Sequence, residues 1–189
     1  MSTHKTQFAV FVKPWKRMSI VEVAQHVRKL GFEWIELPVR PGFACTPENI
    51  EQDLPAAVKT LADYGVQVLN VTVALPLDDE RLYAACAAAD IRMNRVIFGR
   101  EGVGYWEAEA KARRQLDAAM PFCEKYNIQI GVQNHYGNSV PINSMGLYNL
   151  LKAYDPKYAG AIWDPAHNGL QGEEPEVGLD IVQKHLCVI

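Results

Sequence analysis

The stretch Ile128-Gln129-Ile130-Gly131-Val132-Gln133-Asn134-His135 decides how the rest of the chain is read. An extended strand sends successive side chains to opposite faces. Ile128, Ile130, Val132 and Asn134 therefore share one side, and Gln129, Gly131, Gln133 and His135 the other. An aliphatic side of this kind packs against helices, so Gln133 and His135 are expected at the strand's C-terminal end, facing the interior of a sheet. Six further apolar, β-branched runs lie along the chain, at 8–12, 33–37, 66–71, 95–98, 159–163 and 186–189. The seven starts, at 8, 33, 66, 95, 128, 159 and 186, are spaced by 25 to 33 residues, which leaves room for a helix between strands. That rhythm signals successive βα units and a parallel sheet.

The intervening segments carry helix signals. Ser19-Ile20-Val21-Glu22 is a capping box, and Ile20, Val23, Ala24, Val27 and Leu30 follow as one apolar stripe closed by Gly31. Thr46-Pro47 is expected to open a second helix, with a kink or restart near Asp53 caused by Pro55. A third helix follows Asp78-Asp79, a fourth runs from about 105 to 126 with a bend at Pro121, and two more cover about 144–153 and 176–184. No GxGxxG turn follows the first strand, so an α/β fold of the (β/α) barrel type is predicted rather than an open dinucleotide-binding sheet. An eightfold barrel takes about 250 residues. The chain, at 189 residues, is accordingly read as one domain over 1–189 that lacks its last repeat, either truncated or completed by another chain, as in a homo-oligomer.

Composition narrows the function classes. With 49% hydrophobic and 22% charged residues the chain is globular rather than disordered. Its 19 Lys+Arg against 22 Asp+Glu give −3, which argues against a nucleic-acid partner. No apolar run reaches the roughly 18–20 residues of a membrane span, and residues 1–7 carry no apolar signal-peptide core. Cys45, Cys86, Cys123 and Cys187 form no CxxC pair. Reduced thiols and a cytoplasmic location are expected, and no chemistry is assigned to the cysteines.

Polar groups that enter the strands are the candidate site. In the sixth run Gly160, Ile162 and Asp164 share a side, which puts Asp164 beside Gln133 and His135. Asp164-Pro165-Ala166-His167 returns a histidine three residues later. Glu36 opposes Ile35 and Leu37 and so also points inward. One carboxylate, two imidazoles and an amide on neighbouring strand ends suit a divalent metal with oxygen and nitrogen ligands. Each has a plainer alternative: Asp164 as a turn initiator before Pro165, His135 as a hydrogen-bonded structural histidine, Glu36 as a lysine's partner. Lys13, Arg40 and Arg100 follow strands and are either solvated or available to an anionic substrate group; Trp15 is an apolar wall or a rim cover.

These residues resemble a known family. Gly31-Phe32-Glu33-Trp34-Ile35-Glu36-Leu37, Gly131-Val132-Gln133-Asn134-His135 and Trp163-Asp164-Pro165-Ala166-His167, with the β/α rhythm, make the chain similar to the xylose isomerase-like barrel superfamily of sugar-phosphate isomerases and epimerases. Endonuclease IV and inosose dehydratase belong there too. The resemblance implies a divalent metal (Mn, Mg, Co or Zn) held by a glutamate, an aspartate, a histidine and a second glutamate at strands five to eight. Asp164 matches the aspartate, and Gln133 stands where the first glutamate is expected; the other two would lie beyond Ile189. An amide offers a carbonyl oxygen but no charge and cannot act as a base. The implied reaction is metal-assisted proton transfer next to the carbonyl of a sugar, sugar phosphate or polyol. Glu36 and His167 are its catalytic candidates; Trp15, His135 and Arg100 are its substrate contacts. The alternative is a non-catalytic ligand-binding barrel of the same family, which Gln133 favours. An inosose-type dehydratase or an endonuclease IV-like phosphodiesterase is a weaker reading, the latter because Asn70-Val71-Thr72 and Phe98-Gly99-Arg100 lack the histidines it would want.

Overall fold

The computed structural model of the chain describes residues 6–189. Residues 1–5, part of the stretch read for a signal-peptide core, lie outside the described residues. Two compact units organise the chain. One reaches to Leu75 and includes Arg81–Met93; the other comprises Pro76–Glu80 and Asn94–Ile189.

The first unit holds β1 (Ala9–Phe11), α1 (Ile20–Lys29), β2 (Trp34–Val39), α2 (Ile50–Asp63), β3 (Gln67–Val73) and all but the first residue of α3 (Glu80–Ala88). β1 pairs with β2 and β2 with β3, both parallel. The capping box forms as the sequence indicates: Ser19 Oγ accepts from the Glu22 N–H, and the Glu22 carboxylate accepts from the Ser19 N–H. Val23, Ala24 and Val27 then bury the α1 stripe, and Gly31 turns the chain at φ 86°, a conformation that suits a residue without a Cβ.

The second helix departs from expectation. It starts at Ile50 rather than at Thr46-Pro47, because Thr46 spends its N–H and hydroxyl on the Asp53 carboxylate, each at 3.2 Å, and so ties the preceding loop to the helix. Nor does Pro55 break α2, which runs unbroken to Asp63. A proline this near the N-terminus removes one hydrogen bond, to the carbonyl of the exposed residue Glu51.

The second unit holds most of β4 (Met93–Val96), then β5 (Phe98–Gly99), α4 (Tyr105–Tyr126), β6 (Gln129–Gln133), β7 (Ser139–Val140), α5 (Ser144–Leu151), β8 (Ala159–Ile162), α6 (Pro165–Gly169), α7 (Pro175–Val182) and β9 (Leu186–Val188). β4, β6, β8 and β9 lie side by side in that order, with β6–β8 and β8–β9 parallel. The fourth strand begins two residues before the expected 95–98. Phe98 and Gly99 leave it to pair antiparallel with Val140 and Ser139, and Ile97, 40% exposed, marks the break. α4 passes through the exposed Pro121 and ends at Asn127, whose φ of 53° supplies the left-handed cap. In β8, a Cβ on Gly160 would stand 2.7 Å from both Cys187 Sγ and Gln129 Nε2, so these neighbours close over a bare backbone. α6 has no counterpart among the six expected helices.

The fold is α/β. Among the described residues seven strands follow one another in βα succession, three in the first unit and four in the second, one fewer than a complete (β/α) barrel carries. Among the described residues no helix is long and apolar enough to cross a membrane.

Candidate functional site

The end of β6 places Gln133 against the end of β8. Gln133, 8% exposed, donates from Nε2 to Asp164 Oδ2 at 2.7 Å, while its Oε1 accepts from Arg95 Nη1 of β4. A guanidinium only donates and a carboxylate only accepts, so the two neighbours together fix which way the amide points. The neutral amide thus relays a buried positive charge to a carboxylate.

Asp164 divides its two oxygens between backbone and side chains. Oδ1 accepts the N–H groups of Ala166 at 3.0 Å and His167 at 3.2 Å, capping α6. Oδ2 takes the Gln133 amide and lies 3.7 Å from His167 Nε2, beyond hydrogen-bond range. Asn134, buried on the opposite side of the strand, fixes the backbone. Its Oδ1 accepts the Asp164 N–H at 2.8 Å, and its Nδ2 donates to Asp164 O at 3.2 Å and Asn168 Oδ1 at 2.9 Å. Behind it, Ser144 Oγ accepts from Trp163 Nε1 at 2.8 Å and Asn168 Nδ2 at 3.1 Å and donates to Glu173 Oε2 at 2.7 Å.

The two histidines come together as the spacing suggested. The His135 and His167 ring centroids lie 3.9 Å apart with a 40° tilt. His135 Nδ1 stands 2.7 Å from the Tyr136 carbonyl; since a carbonyl can only accept, this nitrogen carries a proton. His167 Nδ1 is buried and has no partner. Arg100 belongs to the same loop pair. Its backbone N–H donates to Asn138 O at 3.1 Å, Ser139 Oγ donates to His135 O, and Arg100 Nε is buried without a partner.

The other two sequence candidates lie in the first unit. Glu36, half-buried on β2, accepts a hydrogen bond from Thr72 Oγ1 of β3. Trp15, at the end of the short turn Lys13–Trp15, meets His26 of α1 edge-on at 4.5 Å between centroids.

Arg95, Asn134, Ser144 and Asn168 were not among the sequence candidates. Arg95 alone left a signal, an arginine opening an apolar β-branched run.

The donor set does not fit a divalent metal. Gln133 Oε1, its only acceptor, is occupied by a cationic guanidinium; its other end is a donor; and Asp164 Oδ1 is tied to two N–H groups. Among the described residues no three His, Cys, Asp or Glu side chains are grouped to hold a metal ion.

Comparison with known proteins identifies the family and the fold. A family model described as a xylose isomerase-like TIM barrel matches residues 24–189. No curated protein matches the chain in sequence. Among solved structures, 3-keto-D-glucoside 4-epimerase from E. coli is 11% identical with a TM-score of 0.76, the match covering 96% of this chain and 77% of that one. A probable 3-DHS dehydratase from Bacillus anthracis is 14% identical with a TM-score of 0.73, covering 96% and 71%. An AP endonuclease of family 2 from Brucella melitensis is 12% identical with a TM-score of 0.74, covering 96% and 77%. At such identities the likeness shows the fold, and one fold hosts several chemistries.

Proposed function

The chain belongs to the xylose isomerase-like TIM barrel family, and from that premise we propose that it acts on a small sugar, sugar phosphate or polyol as an isomerase or epimerase, moving a proton next to a carbonyl. The observation that carries the reading is the pair Asp164 Oδ2 and His167 Nε2, 3.7 Å apart. The gap is too wide for a direct hydrogen bond, yet a substrate oxygen about 2.8 Å from each fits between them. Such an oxygen donates to the carboxylate and accepts from the imidazole, so Asp164 can take its proton while His167 supplies another. Arg95, acting through Gln133, supports the negative charge of Asp164 while this happens.

The carbon-bound proton needs a separate base; among the sequence candidates the carboxylate for that role is Glu36. The C–H electron pair becomes the carbon–carbon double bond as the carbonyl π pair moves onto its oxygen. Return of the proton from the same carboxylate at the neighbouring carbon completes an isomerisation, and for an epimerisation a second group, His167, delivers a proton on the opposite face. His135, Arg100 and Trp15 are assigned to substrate contacts. No step is routed through the metal implied by the resemblance, because Gln133 brings no charge and its oxygen already faces a guanidinium.

The test is proton exchange in D2O. A panel of ketoses and aldoses is incubated with the chain, and deuterium entering the carbon next to the carbonyl is followed by NMR. Exchange is expected with the wild type and should fall about 10²-fold or more in His167→Asn, Asp164→Asn and Glu36→Gln. A chain that binds a sugar but never exchanges its proton would support the second reading, a ligand-binding barrel. That reading draws on one observation: Gln133, which cannot act as a base, is held at both ends.

A further inference from the structure

We propose that the second unit carries a further binding site, for a small flat molecule bearing one hydrogen-bond donor, in the cavity beside the start of α4 and α5. The cavity measures about 380 Å³ and is lined by Tyr105, Trp106, Glu109, Met145, Gly146 and Asn149, among others. That volume falls in the range of about 300–1,000 Å³ usual for small-molecule sites. None of these residues takes part in the proton transfer described above, so the two readings stand or fall separately.

Its walls are apolar and incompletely covered. The Tyr105 and Trp106 rings meet edge-on, 5.3 Å apart at 89°, with Trp106 74% and Met145 54% exposed. Large apolar side chains grouped at the surface in this way mark a place where another molecule is received.

Its polar group is Glu109, a carboxylate only 6% exposed. Three donors converge on one of its oxygens: Oε1 accepts from Arg113 Nε at 3.2 Å, Arg113 Nη2 at 2.8 Å and Asn149 Nδ2 at 3.0 Å. Oε2 is buried and accepts from nothing. Buried carboxylate oxygens are ordinarily bonded, and an orphan one is a stated demand for a donor. Arg113 is not free to supply it, since Nη1 and Nη2 also donate to the carbonyls of Leu150 at 3.1 Å and Asn149 at 2.6 Å. No donor among the described residues is seen at Oε2, and we assign that donor to the ligand. It need not be charged, because Arg113 already offsets the carboxylate; a hydroxyl or N–H on an aromatic ring satisfies Oε2 while the ring lies against Tyr105 and Trp106. Gly146 keeps the space beside Tyr105, since a Cβ there would stand 2.8 Å from the tyrosine hydroxyl.

Phenol and anisole test this, because they share a ring and only phenol has an O–H. Each is titrated into the ¹⁵N-labelled full chain. Phenol should bind at least about tenfold more tightly than anisole, with shifts concentrated at the Gly146 amide and the Trp106 indole N–H. Trp106→Ala, a change at an exposed side chain, should weaken phenol about tenfold, and Glu109→Gln should bring phenol and anisole within about twofold of each other. Equal affinities in the wild type, shifts that map elsewhere, or unchanged phenol binding in Trp106→Ala would overturn the proposal. If Glu109→Gln does not fold, the phenol-to-anisole ratio and Trp106→Ala decide alone.

Discussion

At residue 133 a single amide joins a cation to an anion. Gln133 lies between Arg95 and Asp164, its carbonyl toward the guanidinium and its NH2 toward the carboxylate. Replacing it by leucine, which keeps much of the volume, takes an acceptor from the buried Arg95 and a donor from the half-buried Asp164. Gln133→Leu should therefore cost about 2–4 kcal/mol, read from the urea midpoint at constant m value. The same geometry predicts the response to metals. Because Gln133 Oε1 faces a guanidinium, millimolar Mn²⁺, Mg²⁺, Co²⁺ or Zn²⁺ should leave the thermal midpoint of the wild type unmoved. A clear rise would mean that Gln133 turns over to receive the ion. Asp164 teaches a related point: one of its oxygens caps a five-residue helix and the other faces side chains, so the turn-forming and the chemical reading of one carboxylate coexist.

Single elements show where local rules suffice and where packing takes over. The α1 capping box involves only residues 19 and 22, which are neighbours in sequence, and it forms as read. Ser19→Ala removes an acceptor for the Glu22 N–H and should cost about 1 kcal/mol, a loss that Ser19→Asp should largely avoid. In β8 the decisive contact is not local. Gly160 has Gln129 of β6 on one side and Cys187 of β9 on the other. Gly160→Ala should destabilise by about 1–3 kcal/mol, because the added methyl meets both at once. Pairing the change with Cys187→Ala tests the cause, since removing the sulfur should recover part of the loss. The second helix illustrates the reverse case. Pro55 looks disruptive in sequence and is tolerated, because the bond it forfeits lies in the first turns of α2.

Across the whole molecule the buried ionisable groups set the response to alkali. Burial pushes the thiols of Cys45, Cys86 and Cys187 from 9.0 up to about 12, with Asp53 adding to the effect at Cys45. The Tyr154 hydroxyl is raised as well, by burial and by its hydrogen bond to Asp117. A thiol whose folded value lies above its unfolded one contributes its full share of stability below pH 9.0. As pH rises the unfolded chain releases the proton while the folded chain keeps it, so stability falls until the folded value near 12 is passed. Each thiol contributes up to about 1.4 kcal/mol per pH unit to that slope. The urea midpoint should accordingly drop steeply above pH 9.0. At pH 8 alkylation of Cys45 and Cys86 should be slow in the native chain and fast in denaturant. A flat stability profile across this range would show that the thiols are solvated.

The sequence by itself determined the succession of the seven main strands, their parallel βα alternation, the family, and the convergence of Gln133, His135, Asp164 and His167 at two strand ends. Those depend on periodicity and on which face of a strand is apolar, and both are written in neighbouring residues. Only the tertiary structure decided what the polar groups do. The partners of Gln133 lie 38 residues before it and 31 after it in sequence, and no local pattern specifies which of its two ends each one meets. The roles of Arg95, Asn134 and Ser144 were unreadable for the same reason, as was the orphan oxygen of Glu109: hydrogen-bond satisfaction is a property of the packed interior, where a donor and its acceptor are brought together by strands far apart along the chain.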